Sequence, residues 1–236
     1  KMQFVPKSGL HLLWANFGMG KTHTLLHMHH LCEQTGGNLV PVYARMPERI
    51  RKFLDVYQAI ASVLPYEFLG EQLVRLGSSW SGSLTVHPGF AKSPGVVKAL
   101  LAIRSGDAEK IATARQWIVG KPGIPTSHLR RIGLTYRIKT PEDALNTLSA
   151  LTTLANFGDS SQRNLVLMMD EYQRVGELTA RVRREVNGGI HSYYNAHPRG
   201  LEIILSFSFG REDNVAYLLS DGLKSRAEPQ TISLDV

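Results

Sequence analysis

The sequence predicts an α/β fold on a largely parallel β-sheet with helices on both faces. Short apolar runs of strand type alternate with segments of helical spacing, and a glycine-rich stretch occupies one strand-to-helix junction. Size agrees: 236 residues, 43% apolar and 20% charged, suit one large domain or a core carrying a sizeable insertion.

Residues 10–14 (LHLLW) are an apolar run that meets ANFGMGKT at 15–22, and 24–31 carry apolar residues at helical spacing. The order is strand, loop, helix, with Gly36-Gly37 closing the helix. Residues 39–44 (LVPVYA) read as a second strand, in which Pro41 argues for an edge position or an irregular start. Residues 47–64 read as an amphipathic helix. From about 66 to 140, short helical pieces at 96–103 and 108–118 alternate with Gly/Ser/Pro stretches at 77–83 and 120–125, the pattern of a mainly helical insertion. Thr140 is placed to N-cap a helix from Pro141 to about 157, with Glu142 and Asp143 in its first turn. Residues 165–169 (LVLMM) form a buried-strand run ending in Asp170-Glu171. Residues 177–196 are helical in pattern, although Gly188-Gly189 should weaken or kink them. Residues 201–209 and 231–234 are the remaining strands. The expected division is core at 1–65, helical insertion at 66–140 and core again at 141–236.

No run of 18 apolar residues and no charged-then-apolar leader occurs, so neither membrane insertion nor secretion is expected. The single Cys32 excludes an internal disulfide and a cysteine-based zinc site, which fits a cytoplasmic setting. Lys plus Arg at 27 against Asp plus Glu at 20 gives a net charge of +7, a surplus that attracts polyanions.

The strongest local signal is Gly18-Met19-Gly20-Lys21-Thr22. Glycines let backbone N–H groups turn inward around a phosphate chain, and the following helix adds its positive end. Ala15, Asn16, Gly18, Met19, Gly20, Lys21, Thr22 and His23 are therefore the candidate nucleotide contacts, with Lys21 on the β- and γ-phosphates and the Thr22 hydroxyl on Mg²⁺. Ala15 stands where the usual pattern opens with glycine, which implies some variation of loop shape. The alternative is an ordinary glycine turn. Asp170-Glu171 follows a strand whose end lies on the same sheet edge as the loop. Asp170 is the candidate metal ligand and Glu171 the candidate general base; a plain acidic helix start is the alternative.

Together these motifs resemble the additional-strand class of P-loop ATPases, chiefly AAA+ proteins and helicases, and the resemblance covers 9–46 and 164–235. It implies a parallel-sheet P-loop NTPase core of AAA+ type, with ATP and Mg²⁺ as cofactors and Mg²⁺-dependent ATP hydrolysis as the activity. Neither an Asn-Lys-x-Asp nor a Leu-Ser-Gly-Gly-Gln motif is present, which disfavours GTPases and transporter-type ATPases. In AAA+ proteins the strand corresponding to 201–209 ends in a polar sensor, for which Ser206 or Ser208 is the candidate. Ser225-Arg226 before the last strand is similar to the step whose arginine reaches a neighbouring subunit's ATP, which makes Arg226 the arginine-finger candidate and implies a homo-oligomer. A surface arginine is its alternative. A helical lid would follow beyond Val236. Asp170-Glu171-Tyr172-Gln173 also resembles the Asp-Glu-x-Gln of superfamily 1 helicases, but Arg174 follows where an Asp is usual, so a helicase or translocase is the second reading. A nucleotide-gated assembly switch is the third. The stretch 96–155 is similar to ATP-binding proteins of BREX-type phage-defence systems, which implies an antiviral, DNA-associated assembly with other protein subunits.

Arg181, Arg183 and Arg184, after Arg174, are candidate DNA-phosphate contacts, unless Glu177 and Glu185 pair with them on a solvated helix face. Arg130, Arg131, Arg137 and Lys139 form a second basic cluster that suits DNA or a protein partner. His23, His27 and His30 share a helical spacing but lack a nearby carboxylate or cysteine ligand, which argues against a metal site. Tyr193 and Tyr194 suit a core more than base stacking.

Overall fold

The structure is a computed structural model that describes residues 7–34, 38–80, 82–157, 163–208 and 218–227, together with the backbone of 231–233. It is an α/β fold around an all-parallel sheet. β1 (Gly9–Ala15) leads through the glycine-rich loop into α1 (Lys21–Gln34) and β2 (Leu39–Arg45). The helices α2 (Phe53–Ser62), α3 (Tyr66–Ser79), α4 (Gly95–Ile103), α5 (Ala108–Ile118), α6 (Thr126–Arg131) and α7 (Pro141–Asn156) follow. Then come β3 (Asn164–Asp170), a 3-10 turn (Tyr172–Glu177), α8 (Ala180–Ala196), β4 (Leu201–Ser208), α9 (Asp221–Ala227) and β5 (Thr231–Ser233). The expected helix closure at Gly36-Gly37 and the strand ends at Phe209 and Leu234 lie outside the described residues.

The strand order is β2-β3-β4-β1-β5, so β4 is interposed between β1 and β3. Pairing registers Ala15 with Ser208 and Arg45 with Asp170, which brings the C-terminal ends of four strands to one edge. β2 is an edge strand, where Pro41 can lack a ladder donor without cost.

Period-two alternation divides the sheet's side chains between two unequal cores. Leu165, Leu167 and Met169 of β3 and Leu201, Ile203, Leu205 and Phe207 of β4 enter a large cluster. The other face carries Leu13, Val166, Met168 and Ile204 beneath Leu25 of α1, with Met28 and Cys32 packed against them. Residues of α2 to α8 fill the large side, and the helices between 66 and 140 share that core with the sheet. Trp117 of α5 shows how closely: it is fully buried and donates Nε1–H to Tyr136 O at 2.7 Å.

Side-chain caps set the helix limits. Thr140 Oγ1 accepts from Asp143 N at 3.1 Å and Asp143 Oδ2 from Thr140 N at 3.0 Å, a reciprocal box that starts α7 where expected. The helix expected from residue 47 begins only at Phe53. Asp55 reaches back to accept from Arg51 N and Lys52 N, while Glu185 Oε1 takes Phe53 N at 3.0 Å, so the backbone before Phe53 is held outside the helix.

α8 runs through Gly188-Gly189 without a break. A Cβ on Gly189 would lie 2.3 Å from Cδ2 of the buried Phe53 ring, so this glycine permits a close helix crossing; Gly188 faces open space. Gly189→Ala is expected to destabilise by about 1–3 kcal/mol through overpacking. Gly188→Ala should stabilise by about 0.5–1 kcal/mol, the usual helix gain over glycine. Urea denaturation of both variants reads the opposite signs.

Candidate functional site

The glycine-rich loop turns on two left-handed residues, Gly18 (φ +81°) and Gly20 (φ +79°), with nothing within 4 Å of a Cβ at either. Backbone angle, not crowding, demands glycine here. Ala15 departs from the expected glycine without strain, because it is the fully buried last residue of β1 and has no positive φ. The loop closes with Met19 N donating to Asn16 O and Thr24 N to Gly20 O. Lys21 opens α1, is 6% exposed and donates Nζ to Ala15 O at 2.9 Å and Asn16 O at 2.6 Å. Beside it Met19 and His23 are exposed, and Phe17 is 75% exposed.

Asp170, 3% exposed at the end of β3, is the hub of the site. Its Oδ2 accepts from Thr22 Oγ1 at 2.7 Å and Tyr43 OH at 2.8 Å; its Oδ1 accepts from Ser206 Oγ and from Glu171 N, both at 2.9 Å. Burial alone would push this carboxyl up, but the bonds from Thr22, Tyr43, Ser206 and the Glu171 amide outweigh it and hold the group below its ordinary range. The carboxylate is thus kept ionised. Tyr43 is shifted upward by its own burial and by the Asp170 charge, which keeps its phenol protonated as a donor.

Glu171 adopts φ 61° and ψ 35°, the one non-glycine residue with positive φ among those described. That turn directs the chain from β3 into the 3-10 turn and swings the carboxylate towards two arginines. Arg174 donates Nε to Glu171 Oε2 at 3.0 Å, with Nη2 at 2.8 Å, and Arg45 Nη2 lies 3.6 Å from Oε1. Arg174 Nη1 also donates to Met46 O, so it ties Glu171 to the end of β2.

Lys21, Thr22, Asp170, Glu171, Ser206 and Ser208 therefore meet at one sheet edge. The hydroxyl of Ser206 is taken up by Asp170, whereas Ser208, 9% exposed and two residues nearer the edge, donates its backbone N–H to Gln173 Oε1. Arg226 is not part of this group. It is exposed near the end of α9, and its charge bears on Tyr194, whose hydroxyl donates to Ser8 O just before β1.

The basic candidates on α8 divide. Arg183 is half-buried and donates Nη2 to Gly176 O and Leu178 O, a backbone-capping role, while Arg181 and Arg184 are exposed. Glu185 does not pair with them, because it caps α2. No group of three metal-ligating side chains occurs among the described residues, His23, His27 and His30 included. Tyr193 is buried and bonded to Thr152, as a core residue would be.

Tyr43, Arg45 and Arg174 are the site residues that the sequence motifs miss. Tyr43 and Arg45 come from β2, and nothing local reveals that β2 pairs with β3. Arg174 is visible as a departure from the helicase pattern, but its pairing with Glu171 is not.

Comparison with known proteins finds no family model and no curated relative that matches the chain. No helix among the described residues is long and apolar enough to cross a membrane.

Proposed function

We propose that the chain is a Mg²⁺-dependent ATPase with a P-loop core of AAA+ type, active as a homo-oligomer in the cytoplasm and coupled to DNA, in a phage-defence setting with other protein subunits. The observation that carries this reading is the 2.7 Å contact between Thr22 Oγ1 and Asp170 Oδ2 beside Lys21, across 148 residues of sequence. A hydroxyl and an ionised carboxylate are hard oxygen donors that suit Mg²⁺. The left-handed Gly18 and Gly20, with open space where a Cβ would stand, lead directly into the N-terminus of α1, a fit for phosphate. The interposed β4 supports the additional-strand class.

In this reading Thr22 and Asp170 hold Mg²⁺, while Gly18, Gly20 and Lys21 hold the phosphates. Bound Mg²⁺ supplies charge neutralisation along the triphosphate. Lys21 exchanges its carbonyl partners for phosphate oxygens. Ser206 and Tyr43 fix the Asp170 carboxylate, Ser208 is the sensor nearer the edge, and Glu171 accepts the proton of the attacking water. Arg226 acts from the neighbouring subunit, and Arg181 and Arg184 are the exposed candidates for DNA phosphates.

One observation favours a second reading, a nucleotide-gated switch of low turnover: Glu171 is engaged by Arg174 and Arg45, and it must leave them to serve as a base. The oligomeric ATPase is tested by steady-state hydrolysis. The specific rate should rise with protein concentration, vanish in Arg226→Ala and return when that variant is mixed with Glu171→Gln. A rate independent of concentration and unchanged in Arg226→Ala contradicts it.

A further inference from the structure

A cleft of about 540 Å³ opens between the start of α2, the turn after α5 and the extended segment before α7. Four cationic residues from sequence-distant segments line it: Lys52, Lys121, Arg137 and Lys139. The basic cluster read from the sequence at 130–139 thus divides. Arg131 is taken by Glu109 at 2.7 Å, whereas Arg137 and Lys139 join two lysines from elsewhere.

The one carboxylate lining the cleft, Asp55, accepts from Arg51 N at 2.7 Å and Lys52 N at 3.2 Å as a helix cap. Lys52, Lys121 and Lys139 are exposed, and none is paired with a carboxylate among the described residues. The walls are held in place. Gln58 Nε2 donates to Gly120 O at 3.0 Å, Tyr57 OH donates to Ile118 O, and Arg137 Nη2 donates to Ile124 O and Thr126 Oγ1. The connecting turn depends on left-handed Gly120 (φ +72°) and Gly123 (φ +80°).

Four like charges around one concavity repel one another and focus a positive potential into it, a cost that a multiply charged anion removes. The volume lies within the range of small-molecule sites, and Leu54, Pro122 and Ile138 add apolar wall for the uncharged part of a ligand. We propose that this cleft binds a ligand carrying two or more phosphates, the chemistry shared by a nucleic-acid strand and a free phosphorylated compound. None of residues 15–22 and neither Asp170 nor Glu171 lines it, so the site is separate from the Lys21 loop and does not rest on the ATPase reading.

The test uses the full chain and two probes: a fluorescent 12-nucleotide oligothymidylate followed by anisotropy, and inorganic pyrophosphate followed by calorimetry. The double variant Lys121→Glu/Lys139→Glu should weaken binding of at least one probe about tenfold or more near 0.1 M salt. For the oligonucleotide it should flatten the log K against log salt slope by about 1.4, for two lost single-strand phosphate contacts. Pyrophosphate is titrated in the Lys21→Ala background, so that the loop contributes nothing to the signal, and oligonucleotide binding should be the same with and without that substitution, which separates the cleft from the loop. Lys121→Gln/Lys139→Gln, with a smaller loss in the same direction, keeps the test open if the charge reversal fails to fold. A response of the oligonucleotide identifies a strand as the source; a response of pyrophosphate alone identifies a free phosphorylated compound. Failure of both probes to bind while the cleft lysines are intact, or binding unchanged in both double variants, overturns the proposal.

Discussion

Glu171→Gln should slow ATP hydrolysis by about 10²–10⁴-fold, the usual contribution of a general base, while leaving ATP binding intact. The amide keeps the size of the side chain and its hydrogen bonding but cannot take a proton. Glu171 is half-buried and paired with Arg174 and Arg45, but the glutamine amide oxygen can still accept from Arg174, so the variant should fold. Single-turnover kinetics distinguish the outcomes: bound ATP that persists without phosphate release supports the base role. An unchanged rate assigns the chemistry elsewhere. A wild-type rate near zero, with function unaffected by the variant, favours the nucleotide-gated switch.

Asp170→Asn should affect both stability and metal dependence. The carboxylate accepts four hydrogen bonds, and Ser206, 1% exposed, has little access to water as a substitute. An amide can accept from the Glu171 N–H and Ser206 with its oxygen, but its NH₂ then faces Thr22 and Tyr43, whose hydroxyls must rotate to accept. The expected loss is about 1–3 kcal/mol at neutral pH, the range for hydrogen bonds to a charged group and for a mispaired buried one. Because the folded-state pKa of Asp170 lies below its ordinary value of 3.8, the carboxylate contributes stability that is fully present above that value. That contribution disappears as pH falls through the lower folded-state pKa. Denaturation midpoints of wild type and Asp170→Asn should therefore differ at pH 7 and converge on acidification below pH 3.8. A constant difference across that window contradicts the assignment.

Several elements were legible because their signals are local. The run LHLLW before GMGKT places β1, and LVLMM before Asp170 places β3, each within about one residue of the observed limits, while α1 extends about three residues beyond the apolar spacing at 24–31 at either end. Thr140 and Asp143 announce the start of α7 because a capping box needs only four consecutive residues. What could not be read depends on the strand order. That Tyr43 and Ser206 converge on Asp170 follows only when β2 and β4 flank β3. The late start of α2 depends on Glu185, 132 residues away, and the unbroken α8 on Phe53 filling the space beside Gly189. Charge patterning misled for a local reason, because charge alone does not show which backbone carbonyls lie open. Arg183 looks like a surface cation in sequence, yet backbone carbonyls of the preceding turn take its guanidinium.

The central claim is that Lys21, Thr22 and Asp170 form one site for Mg²⁺ and a triphosphate. Titration calorimetry of ATP into the full chain, with and without Mg²⁺, tests it most directly when wild type and Asp170→Asn are compared. One ATP per chain, bound more tightly with Mg²⁺ in wild type and with that Mg²⁺ advantage lost in Asp170→Asn, is the predicted result. No heat of binding in wild type under either condition, or an equal Mg²⁺ advantage in both proteins, would contradict it.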